Sequence, residues 1–384
     1  MTLPIRCSLR ILSLVGLAAA LPFEVTGQPA MPPRWRGAVE LTVGGANAVD
    51  GADLARTSGL AVDATGRIFV ADAQDQKIRV FSNTGALVAS VGRSGSGPLE
   101  FKRLATIVIG PDRLLWARDE GNARMTALDV SKLPATSVRQ VPLRQFTGGS
   151  RVPITFDATG ALIDESIYFD NTMESFRPLR LRRAQSGDVL RTDTLPVPPG
   201  AFAGVHKVLK VQKDAAGRQV GMSQGYLWQP FGPEWLRAYG ALGLRADAVG
   251  SRYEVNIYSA DGKLLRTLRR AVAPVPVSAR EKRVKDSTLA AQSTDLPFGV
   301  PTHKAPLIGL RWTEEGELWI ERSVADGQPR EADVYDANGR FIAIAEWPHH
   351  VDLIHEFSVI RGRIAHSVTT DANDLESVVR LRFR

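Results

Sequence analysis

A tight turn followed by an apolar-aromatic-apolar run recurs along the chain. It reads Gly66-Arg-Ile68-Phe69-Val70, Arg113-Leu114-Leu115-Trp116, Gly160-Ala-Leu162-Ile163 and Gly316-Glu-Leu318-Trp319-Ile320, with weaker copies starting at Gly240 and Gly362. Successive starts lie 47, 47, 80, 76 and 46 residues apart. The two long intervals become regular if each holds an insertion of about thirty residues, and each contains an atypical Pro-rich stretch, about 196–233 in one and about 271–306 in the other. Six copies of one unit are therefore expected, joined by two insertions.

Four short β-branched or aromatic runs lie between Gly59 and Val91, separated by Asp63-Ala-Thr-Gly66 and Ser82-Asn-Thr-Gly85. Alternating runs bounded by Gly turns are an antiparallel meander. The second hairpin returns at Gly262 and Gly339, and more loosely at Gly187. A period near 46 with four strands per unit predicts an all-β fold, a six-bladed β-propeller with four-stranded antiparallel blades. The ends of the chain fit together: Val378–Phe383 is a third strand with no fourth after it, and Ala38–Val43 is a strand before the first unit. Pairing them closes the ring and leaves no free sheet edge.

Gly59-Leu-Ala-Val-Asp-Ala-Thr-Gly66-Arg-Ile-Phe-Val-Ala-Asp72 with Lys77-Ile-Arg-Val-Phe81 resembles an NHL repeat, and Val91-Gly-Arg-Ser-Gly-Ser-Gly97-Pro-Leu-Glu-Phe101 resembles the usual connection to the next NHL blade. The chain is similar to exported bacterial six-bladed propellers of the NHL or TolB-like group. That resemblance implies a binding platform more often than an enzyme, although lactonases and lyases share the architecture.

Arg6 and Arg10 precede the apolar run Ile11–Leu21, and Val25-Thr-Gly27 offers compact residues at a cleavage site. This is the layout of a signal peptide over residues 1–27, whose apolar run Ile11–Leu21 is too short to span a bilayer. Residues 28–384 are then one propeller domain, placed in the periplasm or outside the cell. Cys7 is the one cysteine, so the mature chain depends on core packing and not on disulfides. The full chain carries a net charge of +7. For an exported protein this favours an anionic envelope polymer or a protein partner over nucleic acid. No membrane span and a monomer are expected.

Charged residues gather where second turns belong: Asp72, Arg118, Asp119, Glu165, Glu321 and Arg322. One reading is a polar rim in which Arg118 and Arg322 take a carboxylate or phosphate; the other is buried salt bridges between blades. Nucleophile and phosphate-loop signatures are missing: Gly92-Arg-Ser-Gly-Ser96 lacks the final glycine of a nucleophile elbow. The histidines, four of them within His349–His366, lack metal-ligand spacing, and no cofactor or metal is expected. The alternative function is a metal-dependent hydrolase or lyase, lactonase-like, with calcium or zinc held in the central channel by acids such as Asp72, Asp119, Glu165 and Glu321 beside Asn122. The first insertion carries Tyr226, Trp228, Phe231 and Trp235 among Pro and Gly, as a ledge beside the disc or a plug in its channel. In the second, Ser278-Ala-Arg-Glu281 is a capping box opening a polar helix through about Gln292.

Overall fold

The computed structural model describes residues 32–384 except 47, 50, 144–154, 169–176, 214–215, 217, 241–242, 293–295, 355–356 and 372. The leader expected over 1–27, and His355, lie outside the described residues.

Six antiparallel blades follow one another. Blade one comprises Thr57–Val62, Ile68–Asp72, Lys77–Phe81 and Leu87–Val91, paired in that order. Blade two runs over Leu104–Ile109, Leu115–Asp119, Arg124–Asp129 and Thr136–Pro142. Blade three holds Thr155–Phe156, Leu162–Tyr168, Arg177–Arg183 and Val189–Thr194, and blade four holds Trp235–Tyr239, Arg245–Val249, Glu254–Tyr258 and Leu264–Arg269. Blade five is Leu307–Trp312, Leu318–Arg322, Arg330–Tyr335 and Phe341–Trp347. Blade six takes Val359–Arg361, Ile364–Thr370 and Glu376–Phe383 from the end of the chain, and its outer strand, Arg34–Gly44, from the beginning.

The closing strand runs antiparallel to Glu376–Phe383, from Gly37 opposite Phe383 to Gly44 opposite Ser377. Its first residues do something the repeats do not indicate. Arg34, Trp35 and Arg36 pair in parallel with Ile344, Ala345 and Glu346, so one strand ties blade five to blade six. Trp35 is buried there, 6.3 Å from Trp319, whose ring meets Phe383 edge-on at 5.0 Å. Burial of such rings is the main stabilising term for a chain without disulfides.

The repeat motif is the second strand of each blade, entered through a turn with positive φ. Gly66, Gly160 and Gly316 supply it, and Arg113 adopts it without being glycine. In blade four the turn uses Gly243 (φ +75°), three residues after the Gly240 start expected from the sequence. Gly240 is instead held tight by packing, since a Cβ there would meet Trp312 at 2.6 Å. Trp116, Trp312 and Trp319 are all buried, where large rings fill the space between blades.

Both insertions are present. The first is the hairpin Val205–Lys213 and Gln219–Trp228, and the second contains the helix Ala279–Gln292. The capping box closes as expected: Glu281 N–H donates to Ser278 Oγ (3.1 Å) and Ser278 N–H to Glu281 Oε2 (2.9 Å). Among the described residues no helix is long and apolar enough to cross a membrane.

Candidate functional site

The charges at the second turns follow from strand ends that must satisfy turn amides. Asp72 is fully buried; its Oδ1 accepts Gln74 N–H (3.0 Å) and its Oδ2 the Arg79 guanidinium (2.7 Å) and Ala55 N–H (3.0 Å). Asp119 repeats this in blade two, taking Arg103 N–H (3.0 Å) and Asn122 Nδ2 (2.6 Å). Both carboxylates are turn staples. One position earlier the side chain faces a neighbouring blade. Arg118 is 1% exposed and donates to Asp164 of blade three, which also meets buried Arg183 at 3.5 Å. Burial lowers the Arg118 guanidinium to about 10; Glu120 opposes the fall and Arg183 adds to it.

Glu165 is buried and meets Arg237 of blade four at 2.8 Å. Glu321 is 1% exposed, bonded by Arg330 at 2.5 Å, and burial pushes its carboxyl up to about 7 against the pull of that arginine. Arg322 is partly exposed and reaches Glu331 (2.6 Å) and Asp333 (2.9 Å), and Asp333 also accepts Tyr253 Oη (2.8 Å) from blade four. Each of the six second-turn residues is therefore held by its own local partners at a separate place around the ring. The structure does not gather Asp72, Asp119, Glu165 and Glu321 at the channel, where the calcium or zinc alternative needs them, and Asn122 is spent on Asp119. Among the described residues no three His, Cys, Asp or Glu side chains are grouped to hold a metal. In the arginine-rich strand Arg177–Arg183, Arg180 and Arg183 are buried.

A cavity of about 440 Å³ lies on the axis and is lined by the inner strands of all six blades. Its wall is apolar at Leu60, Ile107, Val108, Phe156 and Trp312, and polar at the mouth, at Asp157, Glu314 and Arg361. These mouth residues were not singled out by sequence; the only signal was their place at the end of each inner strand. Asp157 accepts Thr159 N–H (2.8 Å) and Oγ1 (2.6 Å), so hydrogen bonds keep it below the usual carboxylate range although burial opposes them. Glu314 and Arg361 are paired across blades five and six at 2.5 Å.

The two insertions meet each other. The ring of His206 stacks on Phe298 at 4.4 Å, Gln229 Nε2 donates to Gly299 O (2.9 Å), and Ala305 N–H donates to Phe231 O (2.9 Å). The Phe231 ring lies 5.4 Å from Lys304 Nζ and 6.0 Å from Lys285 Nζ. The helix is anchored to blade five by Ser278 Oγ on Asp326 (2.7 Å) and by Lys304, which bridges Glu281 (2.5 Å) and Val324 O (2.8 Å).

Hairpin register assigns the faces. Val205 stands opposite Trp228 and Lys207 opposite Tyr226, so these four share one side, while His206 and Val208 point to the other. His206 packs on the second insertion and Val208 is buried. Lys207 is exposed and Trp228 is 48% exposed. Trp235 is not on the insertion at all; it begins the inner strand of blade four, with the Arg237 guanidinium 4.1 Å from its ring centre.

Residues 56–131 match the family DUF5128, described as a 6-bladed beta-propeller. No curated protein sequence matches the chain. Among solved structures, the chain is similar to the PQQ-bound form of aldose sugar dehydrogenase from Streptomyces coelicolor, at 14% identity and TM-score 0.45, over 92% of this chain and 100% of that one. It is similar to a Bacteroides fragilis protein described as exported, at 10% identity and TM-score 0.48, over 91% and 99%. A gluconolactonase from Xanthomonas campestris aligns at 12% identity and TM-score 0.38, over 92% and 98%. Strand order, together with the match over residues 56–131, defines the class as a six-bladed β-propeller.

Proposed function

We propose that the protein is an exported binding module, not an enzyme, and that it takes an anionic envelope polysaccharide on the ledge made by its two insertions. The observation that carries this reading is the outward face of the hairpin, where exposed Trp228 and half-buried Tyr226 stand beside exposed Lys207 while the opposite face is used for packing. A flat ring half in water suits the apolar face of a sugar, and a neighbouring ammonium suits its carboxylate. Arg283 and Lys285 of the helix add exposed positive charge beside the junction. The leader over residues 1–27 belongs to the same reading, since it delivers the ledge to the compartment where such polymers are found.

Titration calorimetry of the mature protein with polygalacturonate tests it. Binding is expected to weaken with added salt, as exposed charges are screened, and to drop about tenfold in Trp228→Ala and in Lys207→Glu. Binding indifferent to both substitutions and to salt overturns the assignment of the ledge.

A further inference from the structure

A second cavity, of about 310 Å³, lies where the ring closes, between the sheet of blade six and the turns of blade one. Thr65, Asn83, Val359, Arg361, His366 and Arg380 line it. Both arginines reach across the seam. Arg361 donates to Asp63 O (2.8 Å) and Val62 O (3.2 Å), and Arg380 Nη1 donates to Asn83 O (2.7 Å). Among the described residues each has one carboxylate partner, Glu314 for Arg361 at 2.5 Å and Glu40 for Arg380 at 2.8 Å, and Glu40 is shared with Arg382.

His366 lies between them, opposite Arg380 on one neighbouring strand and Val359 on the other. It is 5% exposed, and its buried Nε2 has no hydrogen-bond partner among the described residues. An imidazole in that state is anomalous, because buried polar side chains are nearly always hydrogen-bonded. The space is too large for one water, which takes about 30 Å³. Two guanidiniums beside a ring that needs a partner, all on one cavity, describe a place for a small group with negative charge and acceptor oxygens.

We propose that the seam between blades six and one is a binding site for an oxyanion of carboxylate or phosphate type, held by Arg380 and Arg361 with His366 as the third contact. It is independent of the ledge: it uses the first and third turns, whereas the insertions leave from the connections between blades, on the opposite face of the disc. The charged groups around His366 are Arg361 on the inner strand, Arg380 on the third and Glu40 on the outer strand, and blade one contributes Thr65 and Asn83. Burial first, then Arg380 and Arg361, hold the ring down to about 4, against Glu40. An anion in the cavity offsets the first three influences, so its binding is coupled to proton uptake by His366 and tightens as pH falls.

The experiment is an NMR titration of the histidine rings of the whole mature protein, with the His366 signal identified as the one lost in His366→Phe. Without added anion one ring is expected to titrate far below the others. Inorganic phosphate or acetate is expected to raise that midpoint by one unit or more, a tenfold coupling per unit, and Arg380→Gln is expected to abolish the rise. A response to the small ions alone identifies a free anion as the occupant; an added response to polygalacturonate identifies an acidic group of the polymer. If His366→Phe does not fold, the wild-type titration still decides, because a single ring of low midpoint is being followed. A low midpoint that neither phosphate nor acetate moves, or a rise that survives Arg380→Gln undiminished, overturns the site.

Discussion

His206 stacks on Phe298 at 4.4 Å with 25° between the rings, and this contact joins two segments that leave the repeat on either side of blade four. A hairpin of this length is marginally stable alone, whereas the helix insertion has its own anchors on blade five, so this contact is what fixes the hairpin against it. His206→Ala is expected to increase hydrogen exchange along Val205–Lys213 while leaving the propeller's melting temperature within about 2 °C. Unchanged exchange in the hairpin contradicts the coupling.

The closing strand gives a sharper test. Removing residues 33–45 strips the outer strand from blade six and the parallel link from blade five, exposing two sheet edges. The shortened protein is expected to aggregate or to lose its cooperative melting transition. A truncation that melts as sharply and as hot as the mature chain rules out this closure.

Arg118→Ala is expected to cost about 3–5 kcal/mol, because among the described residues Asp164 would be left buried with a long contact to Arg183 as its one remaining cation. Arg322→Ala, at a partly exposed site, is expected to cost much less. Paired urea unfolding curves measure both, and equal losses contradict the burial that separates them.

Two turn glycines differ in a useful way. Gly85 and Gly262 both have positive φ, +90° and +87°, but a Cβ on Gly85 would meet Leu41 of the closing strand at 2.8 Å, whereas on Gly262 the nearest atom is an Arg180 nitrogen at 3.7 Å. Valine at either position is expected to cost about 1 kcal/mol or more, and Gly85→Val the more of the two. Thermal melts of the two variants decide it; a smaller loss at position 85 contradicts the contact with the closing strand.

Acid sensitivity follows from His366. Its folded midpoint, about 4, lies below the ordinary value of 6.5, so the unfolded chain binds the extra proton between those limits. Stability from this group is present above pH 6.5 and is lost as pH falls toward 4, by an amount on the order of 3 kcal/mol. Glu321, raised to about 7, has the opposite sign: it favours the folded state at low pH and loses that contribution as pH rises through 7. His366→Phe is therefore expected to flatten the loss between pH 6.5 and 4 relative to wild type, as read from urea midpoints. A variant with the same acid slope refutes the assignment to His366.

The blades were legible in the chain because a propeller repeats its hydrogen-bonding unit, and each unit needs the same turn followed by the same apolar strand. Ser278 and Glu281 announced their helix because a capping box is local. Where packing competes with the local pattern the sequence misled: Gly240 looks like a turn residue but is needed for its lack of a side chain against Trp312, and the turn falls at Gly243.

By itself, then, the sequence determined the number of blades, the strand that closes them and the positions of the insertions, since these depend on periodicity and on turn chemistry within a few residues. Only the tertiary structure decided what the charges do. Both faces of every blade are covered by a neighbour, so alternation along a strand cannot say whether Arg118 meets water or Asp164. Nor can it bring His366 beside Arg361 and Arg380, or His206 onto Phe298, because those distances are set by how the blades curve round and close.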